Sequence, residues 1–136
     1  MRLGFSLLEV MVVVIIIGIL ATFAIPHYAK TQENGLDNEA KANLVLIQAA
    51  ENLYKSERNS FYPVSGVEAV HAKLNSYLSV NLPLTGSKWD YSVRVTPAAG
   101  ANPAKACAQA TRNSGPKIRS WHIWDVDNAP VIDTCS

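Results

Sequence analysis

Residues 5–25 read FSLLEVMVVVIIIGILATFAI, and only Ser6, Glu9 and Thr22 bring polar side chains to this stretch. A segment this apolar has few places to go in water. As a helix it would be about 32 Å long, close to the hydrocarbon thickness of a bilayer. The run is longer than the apolar core of an ordinary cleavable secretory signal, although the small residues in "ATFA" leave conventional cleavage open as an alternative. Arg2 stands before the run and Lys30 after it, a charge bias that favours the N-terminus in the cytoplasm. The rest of the chain has the polar balance of a soluble domain, so the segment predicts a single-pass anchor on a water-facing head.

Glu9 is the anomaly. A carboxylate in a membrane helix costs roughly 2.5–3.5 kcal/mol at the centre and less toward an end. One reading is that Glu9 sits at the interface, where it snorkels or takes a proton. The other is that it has a partner. Residues 5–25 contain no Lys, Arg or His, so the nearest cation would be a free amine at a newly made N-terminus.

The string "GFSLLEV", the long apolar run after it and the following "IP" resemble the N-terminus of type IV pilins and of type II secretion pseudopilins. The resemblance implies a leader at residues 1–4, cut after Gly4 by a prepilin peptidase, and N-methylation of the new first residue, Phe5. Glu9 falls at the family's assembly residue. Phe5 and Glu9 are four apart, about 6 Å along a helix, so the new amine can pair with its own Glu9 or with that of a neighbouring subunit. An unpaired charge in an apolar filament core is strongly unfavourable, so pairing between subunits would fix their register. Gly18 and Pro26 mark a helix break: for a lone subunit we expect a simple kink at Pro26, while the family implies a stretch between them that loosens in the filament.

The resemblance also implies the organisation. Residues 5–29 form the transmembrane and filament-core helix, and residues 30–136 a globular pilin head. The subunit waits in the inner membrane with its head in the periplasm, and an inner-membrane assembly machine then lifts it into a helical homo-oligomer on the cell surface.

Beyond Pro26, Leu36, Ala40, Leu44, Ile47, Ala50 and Tyr54 recur at helical spacing, predicting an amphipathic helix to about Arg58. Glu51 is among the residues assigned to its polar side. "ERNSFYP" ends it. Residues 60–87 read as an irregular loop with room for a short helix, on which Val67, Val70, Leu74 and Leu78 would share a face. Residues 88–96 alternate cleanly, with Trp89, Tyr91, Val93 and Val95 on one side. "KACAQATR" and "IRSWHIWDV" are two further strands around the turn "NSGP". Three antiparallel strands on a helix give an α+β domain, the layout of the pilin fold.

Cys107 and Cys135 would close a loop of about 28 residues, stabilising by roughly 3–4 kcal/mol if oxidised outside the cytoplasm. Pilins commonly enclose a C-terminal surface loop this way; two free or metal-binding thiols are the alternative. Trp121 and Trp124 point to opposite faces of their strand, one core and one exposed. Three scattered histidines, His27, His71 and His122, show no ligand spacing. "DVDNAPVID" begins like a calcium loop but has Pro130 where an EF-hand needs Gly. No nucleophile or phosphate-binding motif is present, so neither an enzyme nor a cofactor is expected and no metal site is assigned. Twelve Lys and Arg against eleven Asp and Glu give a net charge of +1, which does not suggest nucleic acid.

The reading is a structural subunit of a type IV pilus. The rivals are a pseudopilin of a type II secretion system, a DNA-binding competence pilin and, from Tyr28, Tyr54, Phe61 and Tyr62, a conductive filament.

Overall fold

One helix dominates the chain. α1 runs from Leu7 to Arg58, 52 residues, in a computed structural model that describes residues 6–115 and 119–135. Gly4 and Phe5 lie outside the described residues. The helix assignment is continuous through Gly18 and Pro26. A Cβ added at Gly18 would meet nothing within 4 Å, so packing in the single chain does not demand glycine there. Thr22 Oγ1 donates to the carbonyl of Ile19 at 2.7 Å, which satisfies the hydroxyl within the apolar run.

The chain divides into two compact units, Met1–Leu36 and Asp37–Ser136. In the first, the apolar side chains of α1 are exposed, from Leu7 to Ile25. By length and composition α1 can cross a membrane.

The second unit is built on the last part of α1 and a five-stranded antiparallel sheet: β1 (Gly66–Glu68), β2 (Trp89–Thr96), β3 (Lys105–Arg112), β4 (Ser120–Trp124) and β5 (Val131–Ile132). Spatial order follows chain order from β1 to β5. A short helix, α2 (His71–Leu78), precedes β2. This is the α+β, pilin-like arrangement the sequence predicts.

The core face of the sheet follows from alternation. Trp89, Tyr91, Val93 and Val95 of β2, Ala106, Ala108 and Ala110 of β3, and Trp121 and Ile123 of β4 join Ala40, Leu44 and Ile47 of α1 in one buried cluster. Tyr91 and Trp121 both stand opposite Ala110, so small residues on the middle strand leave room for the large rings on either side. Lys41 Nζ sits 4.1 Å from the centre of the Trp121 ring. Trp124 lies on the other face and is half-buried. The two tryptophans therefore divide between the faces as the spacing predicts.

Three sequence expectations need correction. The sheet has five strands, not three, because two short edges, β1 and β5, flank the central three. The 60–87 segment is not simply a loop with one helix, since Gly66–Glu68 pairs with Val93–Val95 as β1. Of the four residues placed on the short helix face, Leu74 and Leu78 are buried, but Val67 and Val70 are about half exposed at 51% and 49%. Val67 belongs to β1 and Val70 only caps α2.

The stripe on α1 also differs from its apolar reading. The residues most deeply set against the sheet are Asp37, Ala40, Leu44, Ile47 and Glu51, so a carboxylate stands at each end of three apolar residues. Asp37 pairs with Arg119. The helix then stops at Asn59, which takes φ 55° and donates its N–H to the carbonyl of Lys55 at 2.8 Å. That left-handed closure suits Asn better than most residues.

Candidate functional site

The predicted site divides between the start of α1 and the head. At the start, Ser6 precedes the first turn, and its carbonyl accepts the N–H groups of Glu9 and Val10 at 3.0 and 3.2 Å. Glu9 lies in that first turn, where the helix dipole favours an anion. Its side chain is exposed, between Leu8 at 71% and Val10 at 51% exposure. Among the described residues it has no hydrogen-bond or ion-pair partner. The structure thus leaves Glu9 as a carboxylate on an apolar cylinder, available to a group from outside the described chain.

In the head, Cys107 and Cys135 are bonded, with their Cα atoms 6.0 Å apart and 28 residues between them in sequence. Cys107 stands opposite Trp124 and Arg94, on the sheet face turned away from α1. The bond therefore fixes the C-terminal tail across that outer face. Cys135 N–H also donates to Gln109 Oε1 at 3.1 Å, a second link between the tail and β3.

Glu51 is the carboxylate that sequence reasoning missed. It is 1% exposed. Its Oε2 accepts the N–H of Tyr62 at 2.9 Å, and its Oε1 is buried with no hydrogen-bond partner. Burial pushes its pKa up to about 7, and the Tyr62 N–H only partly offsets this. The same segment stacks aromatic rings: Tyr62 lies 4.4 Å from Tyr77 in parallel and 6.0 Å from Tyr54 edge-on. Of the aromatics singled out in sequence, Tyr54 and Tyr62 thus come together, while Phe61 is buried beneath the Lys55 ammonium.

His71, read as an ordinary residue, is a structural link. Its Nε2 accepts the N–H of Tyr91 at 2.9 Å and its Nδ1 donates to the carbonyl of Pro83 at 2.9 Å. A backbone N–H can only donate, so the geometry assigns the neutral ring with its proton on Nδ1. Tyr91 is tied twice, since its hydroxyl accepts from Asn43 Nδ2 at 2.8 Å. Burial holds that hydroxyl's pKa above the usual phenol range, and the Asn43 hydrogen bond opposes the shift.

The calcium-like stretch is occupied with its own contacts. Asp127 Oδ2 accepts the N–H of Trp124 at 3.0 Å. Gln48 Nε2 donates to the carbonyls of Trp124 and Asp127 at 2.5 and 2.8 Å. Among the described residues no group of three or more His, Cys, Asp or Glu is arranged to hold a metal ion.

Residues 1–25 match the family described as the prokaryotic N-terminal methylation motif. Over these residues the chain is prepilin-like. It is 43% identical over 72 residues to the type II secretion system core protein G of Vibrio cholerae serotype O1, covering 52% of this chain and 49% of that protein. It is 45% identical over 58 residues to the type IV major pilin protein PilA of Myxococcus xanthus, covering 43% of this chain and 26% of that one. A core protein G of Aeromonas hydrophila is 38% identical over 69 residues, covering 49% and 48%. The chain thus spans half or less of the length of these relatives. No solved structure matches it.

Proposed function

We propose that this prepilin-like chain is a structural subunit whose function is to polymerise, and that it does so as a type IV pilin in a surface filament. The observation that carries polymerisation is Glu9, a lone carboxylate in an exposed apolar helix whose 25-residue N-terminal stretch matches the methylation motif. In this reading a prepilin peptidase removes residues 1–4 and the amine at Phe5 is methylated. Residues 5–29 then form the membrane anchor and later the filament core, and residues 30–136 the head. Glu9 of one subunit neutralises the Phe5 ammonium of the next and sets the register between them. Gly18 and Pro26 bound the stretch that loosens on packing. An inner-membrane machine transfers the subunit from membrane to filament, with no cofactor and no nucleic acid involved.

The choice of a surface pilus over a periplasmic pseudopilus rests on the Cys107–Cys135 bond, because an outward-facing subunit gains from a covalently held tail. The second reading, a pseudopilin, is favoured by a specific observation: similarity to core protein G relatives runs over 72 and 69 residues, against 58 for the pilin.

Glu9→Ala tests the function. The substitution makes the anchor more apolar, so membrane insertion is kept. The filament loses the partner of a buried ammonium, about 3–5 kcal/mol per subunit in a dry site. Filaments in the sheared fraction should fall at least tenfold while the membrane pool stays normal. Wild-type filament levels would overturn the assembly role. Subunit found in sheared surface filaments supports the pilus; subunit retained in the periplasm, with secretion lost on deletion, supports the pseudopilus.

A further inference from the structure

A groove of about 540 Å³ opens at one end of the sheet, bounded by the β2–β3 connection and the β4–β5 loop. Its volume is in the range of small-ligand sites. Thr96 and Lys105 stand opposite each other in register, and Trp124 is opposite Cys107, two residues on from Lys105. Alternation therefore puts Thr96, Lys105 and Trp124 on the same outer face. Pro97 and Pro103 form part of the wall, and Asn102 and Asp127 complete the polar rim.

Much of the main chain of this wall is already used. Pro97 and Pro103 have no N–H to give. Ala99 and Asn102 exchange both hydrogen bonds with each other, at 3.1 and 3.0 Å. The N–H of Trp124 goes to Asp127 Oδ2, and the carbonyls of Trp124 and Asp127 accept from Gln48. An extended peptide gains its affinity from main-chain pairing, and these groups leave it little to pair with.

What remains is a half-buried indole, the exposed apolar side chain of Val126 and a rim of side chains with hydrogen-bonding capacity to spare. The Thr96 hydroxyl, the Asn102 amide and the Lys105 ammonium are exposed and make no hydrogen bond among the described residues. The rim offers both donors and acceptors. Its one cation, Lys105, is balanced by one anion, Asp127, so it selects neither charge. A flat apolar face bordered by neutral-balanced donors and acceptors is the complement of a pyranose ring, which has an apolar C–H face and an edge of hydroxyls. The walls are held rigid by Gln48 and by the Ala99–Asn102 bridge, which limits the ordering cost of a weak ligand. We propose that this groove is a binding site for a neutral hexopyranose oligosaccharide, with one ring stacked on Trp124 and its hydroxyls on Thr96, Asn102 and Lys105. The site lies wholly within the head and does not depend on which kind of filament the chain forms.

The test uses the full chain, disulfide intact, in a phosphocholine detergent so that no glycoside competes. Cellotetraose and maltotetraose are titrated, with saturation-transfer NMR reading the sugar protons. The expected result is saturable binding of at least one sugar at millimolar concentration, strongest transfer to the ring C–H protons, and quenching of tryptophan fluorescence. Trp124→Ala should weaken binding at least tenfold with the melting transition kept. Should that variant melt early, the exposed pair Asn102→Ala and Lys105→Ala is read instead, with a loss of about fivefold expected. Absence of saturable binding to both sugars overturns the proposal. So does wild-type affinity in the folded variants, or displacement of bound sugar by tetraproline but not by the second sugar.

Discussion

Glu51 places a carboxyl group where the fold provides little to balance a charge. Its carboxyl is buried, one oxygen is bonded only to the Tyr62 N–H, and the other has no hydrogen-bond partner. The pKa rises from 4.5 to about 7. A raised acid binds its proton more tightly in the folded state, so its contribution is fully present below about pH 4.5 and is lost as pH climbs through about 7. The loss is on the order of 3 kcal/mol across that window. Glu51→Gln keeps an oxygen for Tyr62 and removes the charge. Denaturation midpoints measured from pH 4.5 to 8 should show the variant gaining on the wild type as pH rises. Parallel curves would show that Glu51 does not titrate in this window. Its burial was illegible in sequence for a physical reason: the N–H that holds it lies eleven residues later, beyond the turn at Asn59. The isolation of Glu9, by contrast, can be read in sequence, since it is defined by the residues beside it.

At the scale of elements, the inner face of α1 does most of the packing. Leu44 is 0% exposed and Leu53 is 60% exposed on the same helix. Leu44→Ala should cost about 2–5 kcal/mol, by lost burial and the cavity left under β2 and β3. Leu53→Ala should leave head stability within about 0.5 kcal/mol. Urea titrations of the two variants check the contrast, and equal losses would contradict the described face. β2 could be read from sequence because each of its core residues announces itself by alternation. β1 and β5 could not, because they are two or three residues long and mostly exposed; only their pairing with longer strands makes them strands. The groove was hidden for a similar reason. Its walls come from segments well separated along the chain, and only Trp124 gave a sign of it.

Across the whole molecule the disulfide ties the tail to a middle strand. Reducing Cys107–Cys135, or replacing both with Ser, should lower head stability by about 3–4 kcal/mol through the restored freedom of the unfolded loop. Non-reducing peptide mapping should show the single linked pair, and denaturant midpoints with and without a thiol reductant should differ accordingly. Coincident midpoints would mean that the tail is held by its other contacts, Gln109 to Cys135 among them.

The meander bears on the order of events in time. Each strand neighbours the next one in the sequence; the ladders from β2 to β5 close over short loops, while β1 and β2 are joined by a longer stretch that holds α2, and the central sheet has the local pairing associated with rapid folding. The helix face that the sheet needs is made first, because residues 37–58 precede every strand. As the chain is made from its N-terminus, β2 can therefore add to a surface already waiting, then β3, then β4. Cys107 would be set in the sheet before Cys135 arrives, so the thiol chemistry acts as a latch on an already folded head and not as its nucleus. Pulse-labelled chains should accordingly acquire protease resistance before they acquire the disulfide.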